Sequence, residues 1–336
     1  MVSTRKARRS PTLILCFLLG KAFADNEMAL WKRLHSDYPE WIPRGVVDVG
    51  ANQGGWTDAF LMVDADVRPK IAMFEATAKH VPKLEAIKQK YPGSVDYQIR
   101  VLADEARKIT FYEGSTHPGG TGNSIFRENT QFFESDEGVT RQAIPLDEAL
   151  EDSYILNDTP IDFLKLDVQG AERMILEGAA HTLRQISFLQ LELSVVEYNS
   201  GGVCYSDIDE FLQKRGFRLY DIGEIIRSSG AFGTAGVGQY DVLYLREDSQ
   251  FLPEQLKQAK FCRPGLADNQ FQSESKPQPK ATQPPYVMSE STTLPPTIWL
   301  GSGSMETLIA FILGCIMGMG IRQRTQLSFS LRKRTL

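Results

Sequence analysis

The sequence predicts an α/β fold built on a mostly parallel sheet. Apolar runs of strand length alternate with segments of helical spacing, and the first run passes into a helix through a turn rich in glycine. Three of the runs also end in or next to an acidic residue. A strand-helix-strand rhythm needs crossover connections, which place parallel strands side by side. The 336 residues suffice for one such core with further segments at both ends.

The first strand and its turn organise the chain. An apolar run over residues 45–51 leads through VVDVGANQGGW (46–56) into a helix predicted over 54–63. Gly50 and Gly54 let the backbone approach a ligand where a Cβ would obstruct it. The spacing is G-x-x-x-G, not the G-x-G-x-x-G of dinucleotide enzymes, so the turn indicates a smaller and less anionic ligand.

The remaining elements continue this rhythm between a short lead-in (25–43) and the end of the domain. The predicted strands are 70–76, 95–103, 108–113, 138–146, 161–168, 188–193, 217–222 and 239–245. The predicted helices are 28–37, 79–91, 171–185 and 207–215. We expect 108–113 to return antiparallel, the last two strands to pair antiparallel, and the folded domain, 44–246, to close near Arg246. Residues 114–137 form a loop too long for a simple connector.

Both ends of the chain carry membrane-targeting patterns. Residues 1–24 combine basic residues, an apolar run and Ala22-Phe23-Ala24, which is typical of a cleaved signal peptide, although an uncleaved anchor or transit peptide has similar features. Residues 247–297 are rich in Pro, Gln and Ser and read as a disordered stalk. Residues 298–321 favour a transmembrane helix, or alternatively an amphipathic or buried one, and the basic tail 322–336 predicts a cytosolic C-terminus.

Charge and cysteine usage exclude some functions. Residues 25–321 hold 27 Lys and Arg against 42 Asp and Glu, a formal charge of −15, so we expect no nucleic-acid partner. Cys204 and Cys262 allow one optional disulfide but are too few for a zinc cluster, and we expect no metal. Asn157-Asp158-Thr159 is a glycosylation sequon.

The acidic residues at the strand ends suggest the ligand. Ligands of open α/β sheets bind beyond the carboxyl ends of the strands, where Asp48, Glu75 and Asp167 are expected. Glu75 could accept hydrogen bonds from a ribose diol, while Asp48 and the 50–54 turn would meet the amino acid end of a phosphate-free cofactor. S-adenosylmethionine has these parts. A helix cap or a surface ion pair is the alternative for each carboxylate.

Four segments carry a family resemblance. VDVGANQGG (47–55), FEATAKHVPKLE (74–85), IDFLKLDVQGAERMILEGA (161–179) and LELS (191–194) resemble the FkbM family of S-adenosylmethionine-dependent methyltransferases, over roughly residues 44–246. The resemblance implies a seven-stranded, Rossmann-like class I methyltransferase sheet with a reversed final hairpin, and methyl transfer to an oxygen, often of a sugar or polyketide. Ala76 departs from the proline common in the family.

The resemblance also assigns residues to the site. The positions that match the cofactor motifs are Asp48, Gly50, Asn52, Gly54 and Glu75, and we expect Asp104 to join them. The positions that match the second motif are Lys165, Asp167, Gly170, Glu172 and Glu192.

Methyl transfer to a hydroxyl needs alignment of the reacting atoms and removal of a proton. Asp167 is the expected base or orienting group, His117 is an alternative, and either residue could be merely structural or solvated. Lys165 and Glu192 are expected to form a buried ion pair, and Glu172 to cap a helix. Tyr198, in the 194–206 loop, could contact the acceptor.

These observations predict a type I membrane protein of the secretory pathway that O-methylates a small-molecule or glycan hydroxyl. Two other functions stay open. One is a nicotinamide-dependent oxidoreductase, which the missing G-x-G-x-x-G weakens. The other is a catalytically silent domain that binds glycans or proteins at the membrane.

Overall fold

The computed structural model describes residues 28–63, 68–114, 122–129, 133, 137–227 and 236–261. The predicted signal peptide, most of the stalk, the 298–321 helix, the basic tail, His117 and Cys262 lie outside these residues. Across the described ranges, no helix is long and apolar enough to cross a bilayer.

The main sheet has seven strands. They are β1 (Gly45–Val49), β2 (Lys70–Glu75), β3 (Val95–Ile99), β7 (Ile161–Leu166), β8 (Phe188–Ser194), β9 (Phe217–Arg227) and β10 (Val237–Arg246). Their order is β3-β2-β1-β7-β8-β10-β9, and β10 is antiparallel to both of its neighbours while β1, β2, β3, β7 and β8 are parallel. The predicted seven-stranded sheet with a reversed final hairpin is therefore confirmed.

Helices cover both faces of this sheet. They are α1 (Ala29–Asp37), α2 (Gly55–Val63), α3 (Val81–Lys90), α4 (Leu146–Glu151), α5 (Glu172–Glu177), α6 (Tyr205–Gln213) and α7 (Glu254–Lys257). Neighbouring residues of a strand point to opposite faces, so Phe163 packs with Trp31 and Phe60 below α1 and α2, while Leu164 joins Ile175 in the core below α5 and α6.

The expected third strand, 95–103, is two strands in two sheets. The chain turns at Arg100, whose N–H donates to the carbonyl of Glu75, and β4 (Val101–Ala103) enters a small sheet of order β4-β6-β5. In that sheet β5 (Arg107–Phe111) runs antiparallel to β6 (Val139–Pro145). The antiparallel course of 108–113 is confirmed, and the strand at 138–146 is its partner.

The expected helix 171–185 is also interrupted. Helix α5 ends before Gly178, where an added Cβ would lie 2.2 Å from the carbonyl oxygen of Ala103, and a 3₁₀ turn follows at Thr182–Arg184. The close contact with β4 excludes a side chain, and glycine is a poor residue for continuing a helix. The carboxylate of Asp147 then accepts hydrogen bonds from the N–H groups of His181 and Thr182.

The folded unit continues past the expected end at Arg246. Leu252 and Leu256, around α7, are buried. The indole N–H of Trp41 donates to the carbonyl of Phe251 at 2.6 Å, and the guanidinium of Arg44 lies 3.6 Å from the centre of the Phe251 ring. Packing against the chain that precedes β1 therefore holds residues 247–257 on the domain, whereas their composition suggested a stalk.

Candidate active site

The turn after β1 is pressed against the end of β7. Gly50 has φ +75°, and a Cβ there would lie 1.9 Å from the carbonyl oxygen of Asp167. Asn52 also has positive φ, +49°, and its backbone N–H donates to Glu75 Oε2 at 2.8 Å. Gly54 also has positive φ, +79°, but a Cβ there would meet Ile87 of α3 at 2.9 Å and not the end of β7. Gly50 and Asn52 thus shape the site, while Gly54 serves packing.

Glu75 is held in one orientation at the end of β2. It is 8% exposed, and its Oε1 accepts the Thr77 N–H at 2.8 Å while Oε2 accepts that of Asn52. Burial raises the pKa of Glu75, and the two backbone N–H groups and Lys165 oppose that rise. Each carboxylate oxygen can accept a second hydrogen bond, so Glu75 is able to bind a diol as expected.

Glu75 lies in the wall of a first cavity. Residues of β2, β4 and the 122–125 segment form it, together with Gly50, Asn52 and Asp167. Phe74, Phe111 and Ile125 supply apolar surface beside the carboxylate. An adenosyl group consists of a flat aromatic base and a ribose. The apolar side chains suit the base and the carboxylate suits the ribose, so the first cavity fits an adenosyl group.

Asp48, which was expected at the amino acid end of the cofactor, is enclosed by protein groups. It is fully buried, its Oδ2 accepts the Thr57 hydroxyl at 2.7 Å, and its Oδ1 lies 3.4 Å from Lys165 Nζ. In the described part of the chain it lines neither of the two cavities at this edge of the sheet. Asp48 therefore anchors the first turn of α2 and the ammonium of Lys165, a structural role for a carboxylate at this strand end.

A second cavity adjoins the first. It is lined by the 50–56 turn and by the ends of β7, β8 and β10, and Gly50, Asn52 and Asp167 belong to both cavities. Gln190 and Trp56 line it and are 3% and 5% exposed, and Gln190 Oε1 and Trp56 Nε1 find no hydrogen-bond partner among the described residues. A buried acceptor and a buried donor at one cavity indicate a polar ligand.

Asp167 and Glu192 share one amide at this cavity. Gln169, at φ +56°, donates through Nε2 to Asp167 Oδ1 at 3.0 Å and to Glu192 Oε2 at 2.7 Å, and Gln239 also donates to Glu192 Oε2 at 3.1 Å. The expected Lys165–Glu192 ion pair is replaced, because Lys165 lies 3.4 Å from Asp48 and 3.5 Å from Asp167. The strand register explains this, since Lys165 lies opposite Asp48 on one side and Gln190 on the other.

The charge around Glu192 is unbalanced. Burial and the carboxylates of Asp167, Asp241 and Glu172 raise the pKa of Glu192 well above its ordinary value. Asp241 lies directly across from Glu192 in the β8–β10 pair. Like charges directly opposite on two strands repel, so this pair favours retention of a proton.

Glu172 was expected to cap a helix, but it binds the turn that precedes its helix, and α5 has no side-chain cap at its start within the described residues. It is 3% exposed, and its Oε1 accepts the N–H groups of Val168 at 3.1 Å and Gly170 at 3.3 Å. Gly170, at φ +94°, packs against Gly202, whose Cα would lie 3.2 Å from an added Cβ. These two residues of the second motif thus fix the backbone that carries Asp167.

Two other expected residues lie away from the cavities. Asp104 forms an ion pair with Arg107 at 2.8 Å and lines neither cavity within the described ranges. The carbonyl of Tyr198 accepts the N–H of Asn129 at 2.9 Å, and burial raises the pKa of its half-buried phenol. His117 lies outside the described residues.

Ser124 and Asn199, which the sequence did not single out within its two long loops, fasten one wall of the site. Ser124 donates its hydroxyl to the carbonyl of Val168 at 3.1 Å, and Asn199 donates its amide N–H to the carbonyl of Phe126 at 3.0 Å. These bonds fasten the 122–129 segment across the end of β7. Polar loop residues carry no periodic signal that would have assigned them to the site. Gln169 stood inside a recognised motif, and Gln190 and Asp241 interrupt apolar strands, which was the available sign of their role.

Comparison with known proteins now identifies the family. A model of the methyltransferase FkbM domain matches residues 48–219, about half of the chain. The chain belongs to the FkbM methyltransferase family. S-adenosylmethionine, the cofactor expected from the sequence, is the methyl donor of this family, and the two cavities fit its parts.

Solved methyltransferase structures resemble this FkbM-family chain at low identity. An FkbM methyltransferase from Methylobacillus flagellatus KT has 14% identity over 60% of this chain and 43% of its own, with a TM-score of 0.38. The chain thus spans less than half the length of that protein. Magnesium protoporphyrin IX methyltransferase from Synechocystis PCC 6803, solved with bound S-adenosylhomocysteine, has 10% identity over 72% and 90%, with a TM-score of 0.38. No curated protein matches the chain.

The buried carboxyl of Glu172 makes stability depend on pH. Burial raises its pKa to about 7. Between the ordinary pKa of a glutamate and this value the folded state keeps a proton that the unfolded state has lost, so this contribution to stability falls as pH rises. We expect Glu172→Gln to become more stable than wild type by up to about 3 kcal/mol at pH 8, with little gain at pH 4.5.

Urea denaturation across this pH range measures the difference between variant and wild type. Glu148→Gln, at an exposed position of α4, is the matched control and should follow wild type. A Glu172→Gln protein less stable than wild type at pH 8 would mean that the fold requires the ionised carboxylate.

Glu75 and Asp104 were both expected to contact the cofactor, but only Glu75 lines the first cavity. We expect Glu75→Gln to weaken S-adenosylmethionine binding by about 10- to 100-fold, because hydrogen bonds to a charged group are lost and an amide NH₂ faces a backbone N–H. Asp104→Asn should leave the Kd unchanged. Isothermal titration calorimetry measures both constants, and equal losses in the two variants would contradict the placement of the ribose at Glu75.

Proposed function

We propose that the protein transfers a methyl group from S-adenosylmethionine to a hydroxyl of a sugar, a glycan or another small molecule. The observation that carries this proposal is the meeting of two unlike cavities at Gly50, Asn52 and Asp167. One cavity suits an adenosyl group, and the other presents carboxylates and unpartnered polar atoms to a polar ligand. A reaction between the two ligands would take place where the cavities meet.

Different residues would bind different parts of the methyl donor. Glu75 would accept the ribose hydroxyls, and Phe111 and Ile125 would enclose the base. The Trp56 indole N–H and the N-terminal turn of α2 would receive the carboxylate of the amino acid end, because backbone N–H groups at a helix start favour an anion.

When bound, the donor supplies a methyl group activated by a sulfonium. Asp167, fixed by Gln169 and Lys165, is placed to orient an acceptor hydroxyl. The 122–125 segment walls the first cavity and helps to exclude water from it. The acidic surface of the second cavity favours a positively charged donor and loses that attraction when the transfer makes the sulfur neutral, which assists product release.

A nicotinamide cofactor suits this site less well. Its pyrophosphate would have to pass beside Asp167, near Glu192 and Asp241, all three of which line the second cavity. Charge repulsion opposes such a position. Within the described residues, no contact in the site favours a catalytically silent binding domain.

A methyl-transfer assay tests this function. The protein is incubated with radiolabelled S-adenosylmethionine and an extract of glycans and small polar metabolites. We expect label in a product that survives mild alkali, because ethers resist the base that cleaves esters. Asp167→Asn should slow transfer by about 10- to 1,000-fold while keeping cofactor affinity. A wild-type protein that binds the cofactor but labels nothing would favour the silent domain.

We further propose that the domain faces the lumen of the secretory pathway, anchored by residues 298–321 in a type I topology. The support is the apolar and basic patterning of both chain ends and an exposed Asn157 within its sequon. In cells, treatment with a glycosidase specific for N-linked glycans should increase electrophoretic mobility, and Asn157→Gln should abolish that shift. Unglycosylated protein that is open to cytosolic protease would refute this topology while leaving the enzyme activity possible.

A further inference from the structure

We propose that the β8–β10 end of the second cavity is the acceptor subsite, and that Glu192 Oε1 takes the proton of the acceptor hydroxyl. This inference deepens the proposed function and rests on it. It moves the proton acceptor from Asp167, the residue favoured by the sequence, to a neighbouring carboxyl.

The second cavity is long enough to hold more than the end of the donor. Its lining passes from the turn after β1 across β7 and β8 to Asp241 of β10, which are successive strands of the sheet. Three strand spacings amount to about 14 Å. The amino acid end of the donor would occupy the turn side, so the side formed by Gln190, Glu192 and Asp241 is available to a second molecule.

Glu192 is oriented for proton transfer. Its Oε2 accepts N–H groups from Gln169 at 2.7 Å and from Gln239 at 3.1 Å, which fixes the plane of the carboxyl. Its Oε1 makes no hydrogen bond within the described part of the chain, although the residue lines the cavity. Asp167 differs, because Gln169 binds its Oδ1 and Lys165 lies 3.5 Å from its Oδ2. The free oxygen belongs to Glu192.

The surroundings also raise the proton affinity of Glu192. The titratable groups around it are Asp167 and Lys165 of the β7 end, Asp241 of β10, Glu172 of α5 and the phenol of Tyr198. The positive charge of Lys165 lies against Asp167 and Asp48. Glu192 faces Asp241 across the strands without such a cation, and burial with these carboxylates raises its pKa. A base whose pKa approaches the working pH is the more effective one.

The proposed step conserves atoms, electrons and charge. The hydroxyl oxygen forms a bond to the methyl carbon, and the carbon–sulfur bond breaks with its electron pair remaining on sulfur. The hydroxyl proton passes to the ionised carboxylate of Glu192, which becomes a carboxylic acid and later returns the proton to water. Asp167, which lies beside Lys165, orients the hydroxyl.

The same subsite limits the class of acceptor. Gln190 Oε1 is buried and unpartnered in the described residues, and Asp241 adds a carboxylate. An acceptor that carries a second donor group near its reacting hydroxyl would satisfy the Gln190 oxygen. An acceptor with a phosphate or carboxylate at this position would meet like charge. We therefore expect a neutral or cationic polyhydroxyl or amino-alcohol compound.

Two measurements on the labelling reaction test the subsite. With wild-type protein, label should appear in the fraction of the extract that an anion-exchange column does not retain. Glu192→Gln should slow labelling by about 100- to 1,000-fold with a Kd for S-adenosylmethionine within threefold of wild type, because removal of a positioned base costs a factor of this order. The preserved Kd also verifies that the variant is folded. Glu148→Gln is the control.

The pH dependence distinguishes a base from a structural carboxyl. The wild-type rate should rise with pH as Glu192 ionises, and Asp241→Asn should move this rise to lower pH by removing a facing negative charge. Carboxyl ¹³C chemical shifts of glutamate-labelled protein, with Glu192 assigned through the Gln variant, should show the same displacement without any acceptor.

These outcomes separate the inference from the function on which it rests. A wild-type protein that labels nothing refutes the function. A wild-type protein that is active while Glu192→Gln keeps its rate within threefold refutes the role of Glu192 alone. Label found mainly in retained, anionic products refutes the proposed acceptor class.

Discussion

The contact between Gly50 and the end of β7 is the constraint on which the site depends. A Cβ at Gly50 would lie 1.9 Å from the carbonyl oxygen of Asp167, so the turn reaches this position only with glycine. The contact closes the gap between two neighbouring parallel strands and leaves a cavity on either side. Asn52 then reaches Glu75, and the Asp167 side chain lies at the boundary where the two proposed ligands would meet. A shift of this turn would therefore disturb both proposed ligand positions at once.

A buried polar row crosses the sheet beneath this contact. Asp48, Lys165 and Gln190 occupy matching positions on β1, β7 and β8, where apolar side chains would pack more simply. Burying such groups costs free energy, and the ion pair between Asp48 and Lys165 offsets only part of this cost. Among the described residues, the side-chain oxygen of Gln190 has no hydrogen-bond partner. A fold has little structural reason to keep this arrangement. This row of polar residues is consistent with the base of a polar ligand site.

Charge distribution separates the roles of the carboxylates at this edge of the sheet. Lys165 lies beside both Asp48 and Asp167, and two backbone N–H groups bind the carboxylate of Glu75. Glu192 has amides and other carboxylates around it, which favour its protonated form. Residues with the same functional group thus have different surroundings, on which the proposed separation into anchoring, binding, orienting and proton transfer is based. Their environments, not their identities, make the difference.

The sequence by itself determined the sheet, its reversed hairpin and the glycine turn, because apolar periodicity and glycine spacing are local properties of the chain. Glu75 and Asp167, which the sequence assigned to cofactor binding and catalysis, both line the first cavity. The tertiary structure determined features that local sequence patterns do not specify. It split the expected third strand at Arg100, withdrew Asp48 and Asp104 from the cavities, and paired Lys165 with aspartates. The register between strands that are distant in sequence determines which side chains become neighbours. The sequence of a single strand does not specify which residue will lie opposite.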